Sequence, residues 1–437
     1  MNVYTTDKIR NVVLLGHGGC GKTSLVEAMA YLSGITSRMG KIDDGNTVSD
    51  FGKEEQKRHI SIATSVVPIE WEGTKINVLD TPGFFDFVGE VEEAVSAADA
   101  AIIVVSGKAG VEVGTEKAWE ICEKYKLPRF VFVTDMDIDN ASFKQVVTDM
   151  TEKYGKKMAP FHLPIRENEK FVGYINVITE QAYRWEGKEV VECEMPDYSK
   201  ENLQLCRDTL MEAVAETSED FMDRYFNGDT FSEAEIRSAM RTNVMDGSVV
   251  PMSMGSNVLC QGIFTLLDDI VKYIPSPENR EIAGVDLKTN EIFQANYDFS
   301  KPKSAYIFKT IVDPFIGKYS LIKVCSGVFK SDDLIYNDEK EVEEKISKLY
   351  VMQGSKPIEV KELHAGDIGA IAKLTAARTG NTLSTKARII RYGKTEISTP
   401  YTYKRYRAKN KGDVDKVSQA LQKMRHEDQT LQVVNDA

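Results

Sequence analysis

The segment Gly16-His17-Gly18-Gly19-Cys20-Gly21-Lys22-Thr23 constrains this chain more than any other. It fits the spacing G-x-x-x-x-G-K-[ST]. An apolar run, IRNVVLLG at 9–16, leads into it and breaks at glycine, and TSLVEAMAYL follows with helical spacing. Strand, glycine loop and helix in that order make a phosphate cradle. Glycines let backbone N–H groups turn inward around phosphate oxygens, and the helix N-terminus adds partial positive charge. In that reading Lys22 reaches the β- and γ-phosphates and the Thr23 hydroxyl ligates Mg²⁺.

Further apolar runs follow at 74–80 (TKINVLD), 100–107 (AAIIVVSG) and 129–135 (RFVFVTD), with a helical segment at 109–126 that ends before Pro128. Strands alternating with helices predict an α/β domain with a largely parallel sheet. Two strand ends carry chemistry. Asp80-Thr81-Pro82-Gly83 places an acid for Mg²⁺ and, at Gly83, an N–H that can sense the γ-phosphate. Thr134-Asp135-Met136-Asp137 reads by itself either as a surface acidic turn or as a base site in which Asp137 accepts from the N1–H and exocyclic amine of guanine, a pattern adenine lacks. That argues against an ATP-using enzyme.

The stretch 36–60 is polar and reads as a solvated loop. Residues 157–250 interrupt the pattern with hairpin-like strands (FVGYINVI, AYRWEGKEVVECE) and acidic helices, so they read as an inserted α+β subdomain within a GTP-binding domain of 1–280. From 304 the period changes to two, and residues 301–392 predict an antiparallel β-barrel. After 400, TYKRYRA reads as a strand, 413–426 as a helix with Val414, Val417, Leu421 and Met424 on one face, and TLQVV as another strand. A unit this short is too small for its own core. The chain is therefore expected to stop inside a domain.

At 437 residues the chain is long enough for several domains of about 150 residues. No apolar stretch approaches the roughly 20 residues that span a bilayer, and MNVYTTDKIR lacks a signal-peptide core, so a cytoplasmic protein is expected, with no membrane partner. The net charge of −12 argues against nonspecific coating of nucleic acid, DNA included. The six cysteines form no C-x-x-C pair, and reduced thiols are expected.

With these motifs in place the chain resembles the translational GTPases, in particular elongation factor G and its paralogues with a glycine-rich phosphate loop. DDGNTVSDFGKEEQKRHISI looks like the family's first switch, and Ser61 falls where the family has its Mg²⁺-binding threonine. PMSMGSN at 251–257 is similar to the last guanine-contacting loop, which puts Ser256 and Asn257 beside the base together with Thr134, Asp135 and Asp137. FHLPI, VGYINVI and AYRW match the inserted subdomain. DPFIGKYSLIKVCSGVFKSDD and ELHAGDIGAIAKLTAARTGNTL match the second, β-barrel domain. The last stretch, 400–437, resembles the opening of a third, ferredoxin-like domain. The resemblance implies GTP/GDP and Mg²⁺ as ligands and the ribosome as partner. It implies GTP hydrolysis that drives or modulates translocation. The alternatives are a ribosome-associated switch with little hydrolysis and a ribosomal protection factor.

Three departures bear on catalysis. Phe84 stands where the family has a water-orienting histidine, Gly19 where it has an aspartate, and Asp135 where it has a lysine. Slow intrinsic hydrolysis is expected, and no catalytic residue is assigned. His59, two residues before Ser61, is a minor candidate against the plainer reading of a loop histidine. His17 reads as structural. The aromatic and basic residues of 402–416 read first as a solvated face and second as an RNA contact.

Overall fold

The structure is a computed structural model that describes residues 2–434 apart from 187–188, 314–316 and 401. Residues 187–188, inside an expected hairpin, and 314–316, inside the expected β-barrel, lie outside the described residues. The first unit alternates strands and helices as its sequence predicts. In order these are β1 (Ile9–Leu15), α1 (Lys22–Leu32), α2 (Lys53–Arg58), β2 (Ser65–Trp71), β3 (Thr74–Asp80), α3 (Val88–Ala97), β4 (Ala100–Ser106), α4 (Val113–Lys124), β5 (Arg129–Thr134), α5 (Phe143–Tyr154) and β6 (Met158–Pro160). The unbroken apolar runs are buried on both faces, as parallel strands covered by helices must be; every residue of β4 is buried.

The insertion contributes β7 (His162–Glu167), β8 (Lys170–Asn176), β9 (Gln181–Glu186) and β10 (Glu189–Cys193), an antiparallel sheet in the order β10-β9-β8-β7. Helices α6 (Lys200–Ala215), α7 (Glu219–Phe226) and α8 (Glu233–Asp246) follow, before β11 (Val250–Met254) and α9 (Ile263–Tyr273) return the chain to the first unit. The central sheet runs β2-β3-β1-β4-β5-β11-β6. All its neighbours are parallel except β2 and β3. Strand β1 has β3 on one side and β4 on the other, so the winding reverses there and a crevice opens at the carboxyl ends of the strands. Gly16 lies at that point. Its φ is 147°, and a Cβ on it would run into the Val104 carbonyl oxygen, so only glycine lets the loop start there.

The second unit is built from β12 (Ala283–Asp286), β13 (Glu291–Gln294), β14 (Ser304–Asp313), β15 (Gly317–Ser326), β16 (Val328–Lys330), β17 (Leu334–Asn337), β18 (Val342–Lys345), β19 (Leu349–Gln353), β20 (Lys356–Val360), β21 (Glu362–His364), β22 (Ile368–Ala372), β23 (Thr382–Ser384) and β24 (Ile390–Arg391). Eight strands pair in the order β18-β17-β23-β14-β15-β22-β19-β20. Among the described residues the ladder does not close on itself, yet Ile307, Ile322, Phe329, Leu349, Ile371 and Leu383 meet in one barrel-like core. A small sheet, β13-β12-β24, joins the segment after 280 to the end of this unit, a pairing that sequence periodicity does not show.

Buried ion pairs join the two units: Lys75 to Asp367 at 2.8 Å and Lys323 to Asp99 at 2.7 Å. In the β19–β20 turn, the Gly354 N–H donates to the Val66 carbonyl (2.9 Å), and a Cβ on Gly354 would overlap the Val48 carbonyl oxygen. Gly354→Val is therefore expected to lower stability by about 1–3 kcal/mol, read by chemical denaturation.

Beyond 400 the expectation needs correction. Helix α10 (Val414–Glu427) forms, but neither 402–408 nor 430–434 is a strand among the described residues. A strand needs a neighbour to take its N–H and C=O groups, and these two segments do not pair. Helix α10 instead docks on β14, where the Val312 N–H donates to Glu427 Oε1 (2.7 Å). Val414 and Met424 on its apolar face stay exposed.

Candidate functional site

The phosphate loop is held from three sides. The Lys22 ammonium folds back over the loop and donates to the Gly16 and His17 carbonyls (3.0 and 2.9 Å). The Thr134 hydroxyl donates to the Cys20 carbonyl (2.8 Å), and Asn257 Nδ2 to the Gly21 carbonyl (3.0 Å). Thr134 and Asn257, expected beside the base, thus tie the base-binding loops to the phosphate loop. His17 also ties the loop to α4. Its Nδ1 accepts from the Gly114 N–H (3.2 Å), which leaves the proton on Nε2, 3.5 Å from Glu112 Oε1. Gly18 and Gly19 complete the loop between them, and the Thr81 hydroxyl pins the next motif to the Leu14 carbonyl (2.5 Å). Gly83 is brought against the loop: a Cβ there would lie 2.6 Å from Lys22 Nζ and 2.7 Å from Gly18 N.

The structure also brings the expected metal residues together. Thr23 Oγ1 and Ser61 Oγ are 3.1 Å apart, although 38 residues separate them. Asp80 is buried with no hydrogen bond to either carboxylate oxygen. Burial pushes its pKa up to about 6, against the pull of nearby Ser49, Lys22 and Thr23. A fourth group was not legible in the sequence. Asp50 is buried with Oδ1 unpartnered, and burial, then the neighbouring Asp80 carboxylate, pushes its pKa up to about 7. Two hydroxyls, the orphaned Asp80 carboxylate and the unpartnered Oδ1 of Asp50 form an all-oxygen set that fits a hard divalent cation such as Mg²⁺. Raised carboxyl pKa values mean that the metal-free protein holds protons the unfolded chain releases near pH 4. The stability this gives is present below about pH 4 and lost as pH rises through about 6–7. Mg²⁺ without nucleotide is accordingly expected to raise the thermal midpoint at pH 8 and leave it unchanged at pH 5, in melts with and without EDTA.

The polar segment 36–60 is not simply solvated. Buried Glu27 of α1 accepts from the Gly40 N–H (2.8 Å) and from the Val48 N–H. Buried Glu55 accepts from the Gly52 (2.8 Å), Ile62 and Ala63 N–H groups (3.0 Å each), folding the chain around Ser61. His59 takes φ 54° at the end of α2, and its Nδ1 is engaged with the Ile42 carbonyl at 3.0 Å. This contact shapes the loop and adds nothing to a catalytic role.

On the base side, Asp137 sits on the exposed turn after β5. Asp135 takes φ 61° and accepts from the Ser106 hydroxyl (2.5 Å); burial, with Asp137 nearby, raises its pKa. Ser256 is buried and bridges to Gln261, and its hydroxyl accepts from the Leu259 N–H (3.1 Å). Arg166 of the insertion, which sequence reasoning missed, donates to the Met136 and Ala141 carbonyls (3.0 Å each) and so braces the turn carrying Asp137.

Residues 7–276 match the elongation factor Tu GTP binding domain family, and residues 302–386 match elongation factor G domain 2. This chain belongs to the translational GTPases of the elongation factor G type. A crystal structure of a Thermus thermophilus protein superposes on this GTPase with a TM-score of 0.84 and 31% sequence identity, over 98% of this chain and 62% of that one. The chain thus spans about 62% of the length of that relative. Among the described residues no helix is long and apolar enough to cross a membrane.

Proposed function

We propose that this translational GTPase binds GTP with Mg²⁺ and hydrolyses it slowly alone and faster on the ribosome, in the cytoplasm, to drive or modulate translocation. The observation that carries the reading is the convergence of Thr23, Ser61, Asp80 and Asp50 beside a phosphate loop covered by Lys22. Thr23 and Ser61 would hold Mg²⁺ through their hydroxyls, and Asp80 and Asp50 would accept from its water ligands. The metal would neutralise phosphate charge. Lys22 and the loop N–H groups would bind the β- and γ-phosphates, and Asp137 the guanine edge. In the reaction a water oxygen bonds the γ-phosphorus while the β–γ bridging oxygen leaves on GDP with the bonding electrons. The water protons pass to phosphate and solvent.

Phe84 favours a second reading, a GTP-dependent switch with little hydrolysis, because a phenyl ring cannot orient water. In that reading GTP orders the chain around Ser61 and so presents a partner surface on the ribosome; a ribosomal protection factor would use the same device. Turnover of GTP measured with and without ribosomes separates the readings. Stimulation by ribosomes supports the enzyme. GTP binding without stimulated turnover supports the switch.

A further inference from the structure

Phe84 does more than leave a histidine out. Its ring lies on the phosphate loop: Cε2 and Cζ are each 3.2 Å, and Cδ2 3.4 Å, from where a Cβ on Gly18 would sit. Gly18 therefore makes the room that the ring fills. The backbone just before it is fixed, because Gly83 is wedged against Gly18 and Lys22. The ring also lines a largely apolar cleft of about 370 Å³, together with Gly16, Gly83, Val88, Val91 and Ile121, so one ring meets both the phosphate loop and that cleft. It remains 45% exposed, so its position is not explained by burial in a core.

Resting on the GTP-binding reading above, we propose that Phe84 is a water-excluding cover of the phosphate loop, seated on Gly18, that protects bound GTP from hydrolysis. It is a positioning residue. It takes no proton and touches no reacting atom, but its ring denies water the approach beside Gly18 and Gly83. This differs from a missing histidine in its consequence. If the site merely lacks a group to orient water, removing the ring changes nothing; if the ring is a cover, removing it speeds hydrolysis.

Two measurements on the full chain test this. In the first, GTP is bound to the wild type and to Phe84→Ala, affinities are measured, and one turnover is followed. The expected result is similar affinity and hydrolysis at least about threefold faster in Phe84→Ala. In the second, Phe84→Trp is made with and without Gly18→Val, and acrylamide quenching is read as the difference from the matching protein with Phe84. A side chain at position 18 is expected to lift the indole and raise its quenching about twofold, a readout that needs no nucleotide. Bound GTP hydrolysed equally fast by wild type and Phe84→Ala, or quenching indifferent to Gly18→Val, overturns the cover and leaves the GTP-binding reading standing. A wild type that binds no GTP overturns that reading and the cover with it.

Discussion

Lys323→Ala is expected to cost about 3–5 kcal/mol, because it strands a buried carboxylate. Lys323 and Asp99 are each 1% exposed in their side chains, with Nζ and Oδ2 2.7 Å apart. The pair belongs to a polar chain running through the joint between the two units. Asn11 Nδ2 donates to Asp99 (2.5 Å), Asn77 Nδ2 donates to Asn11 Oδ1 (2.8 Å) and to Asp367 (3.0 Å), and Lys75 donates to both oxygens of Asp367 (2.8 Å). Each unit supplies one lysine and one aspartate, so the units are keyed to each other reciprocally. Denaturant unfolding should show the loss, together with a split into two transitions as the units uncouple. The double variant Lys323→Met with Asp99→Leu should recover most of it, because the unpaired charge is gone. A loss below about 1 kcal/mol, the range of surface pairs, would mean that this joint is wet rather than buried.

Asp137→Ala is expected to weaken GTP binding by about 10²–10⁴-fold. Two hydrogen bonds to a charged acceptor carry about 1.5–3 kcal/mol each. ATP affinity should barely change, because adenine offers no such donor pair. Titration of both nucleotides against wild type and variant checks this. Arg166, which holds the Met136 and Ala141 carbonyls, gives a graded companion. Arg166→Ala should loosen the turn that carries Asp137 and weaken GTP about tenfold, the equivalent of roughly 1.4 kcal/mol. Equal losses of GTP and ATP in Asp137→Ala would place the base elsewhere.

What the sequence made legible was whatever is local. The phosphate loop, its strand and its helix are contiguous, so spacing alone locates Gly16 to Thr23. The runs at β3, β4 and β5 announce themselves because strands buried on both faces must be apolar throughout. Ser61 was placed by resemblance, and the fold sets its hydroxyl 3.1 Å from that of Thr23. What was not legible depends on tertiary meeting. Asp50 looks like any loop acid until the fold buries it near Asp80 with Oδ1 unpartnered. Glu27 and Glu55 look like helix-surface acids, yet both are buried and fold the loop around Ser61. Arg166 acts across about 30 residues of sequence through backbone carbonyls, which carry no sequence signal. The strand expected at 402–408 failed for a related reason: alternation gives a segment the capacity to pair but does not supply a partner.

Both proposed readings require a Mg²⁺-dependent site that prefers guanine nucleotides. Equilibrium binding of a fluorescent GTP analogue, competed with GTP, GDP and ATP in Mg²⁺ and again in EDTA, tests it most directly. GTP and GDP, but not ATP, are expected to displace the analogue, and GTP binding should weaken when Mg²⁺ is removed. Displacement by ATP as effective as by GTP, or GTP binding indifferent to EDTA, would contradict that requirement.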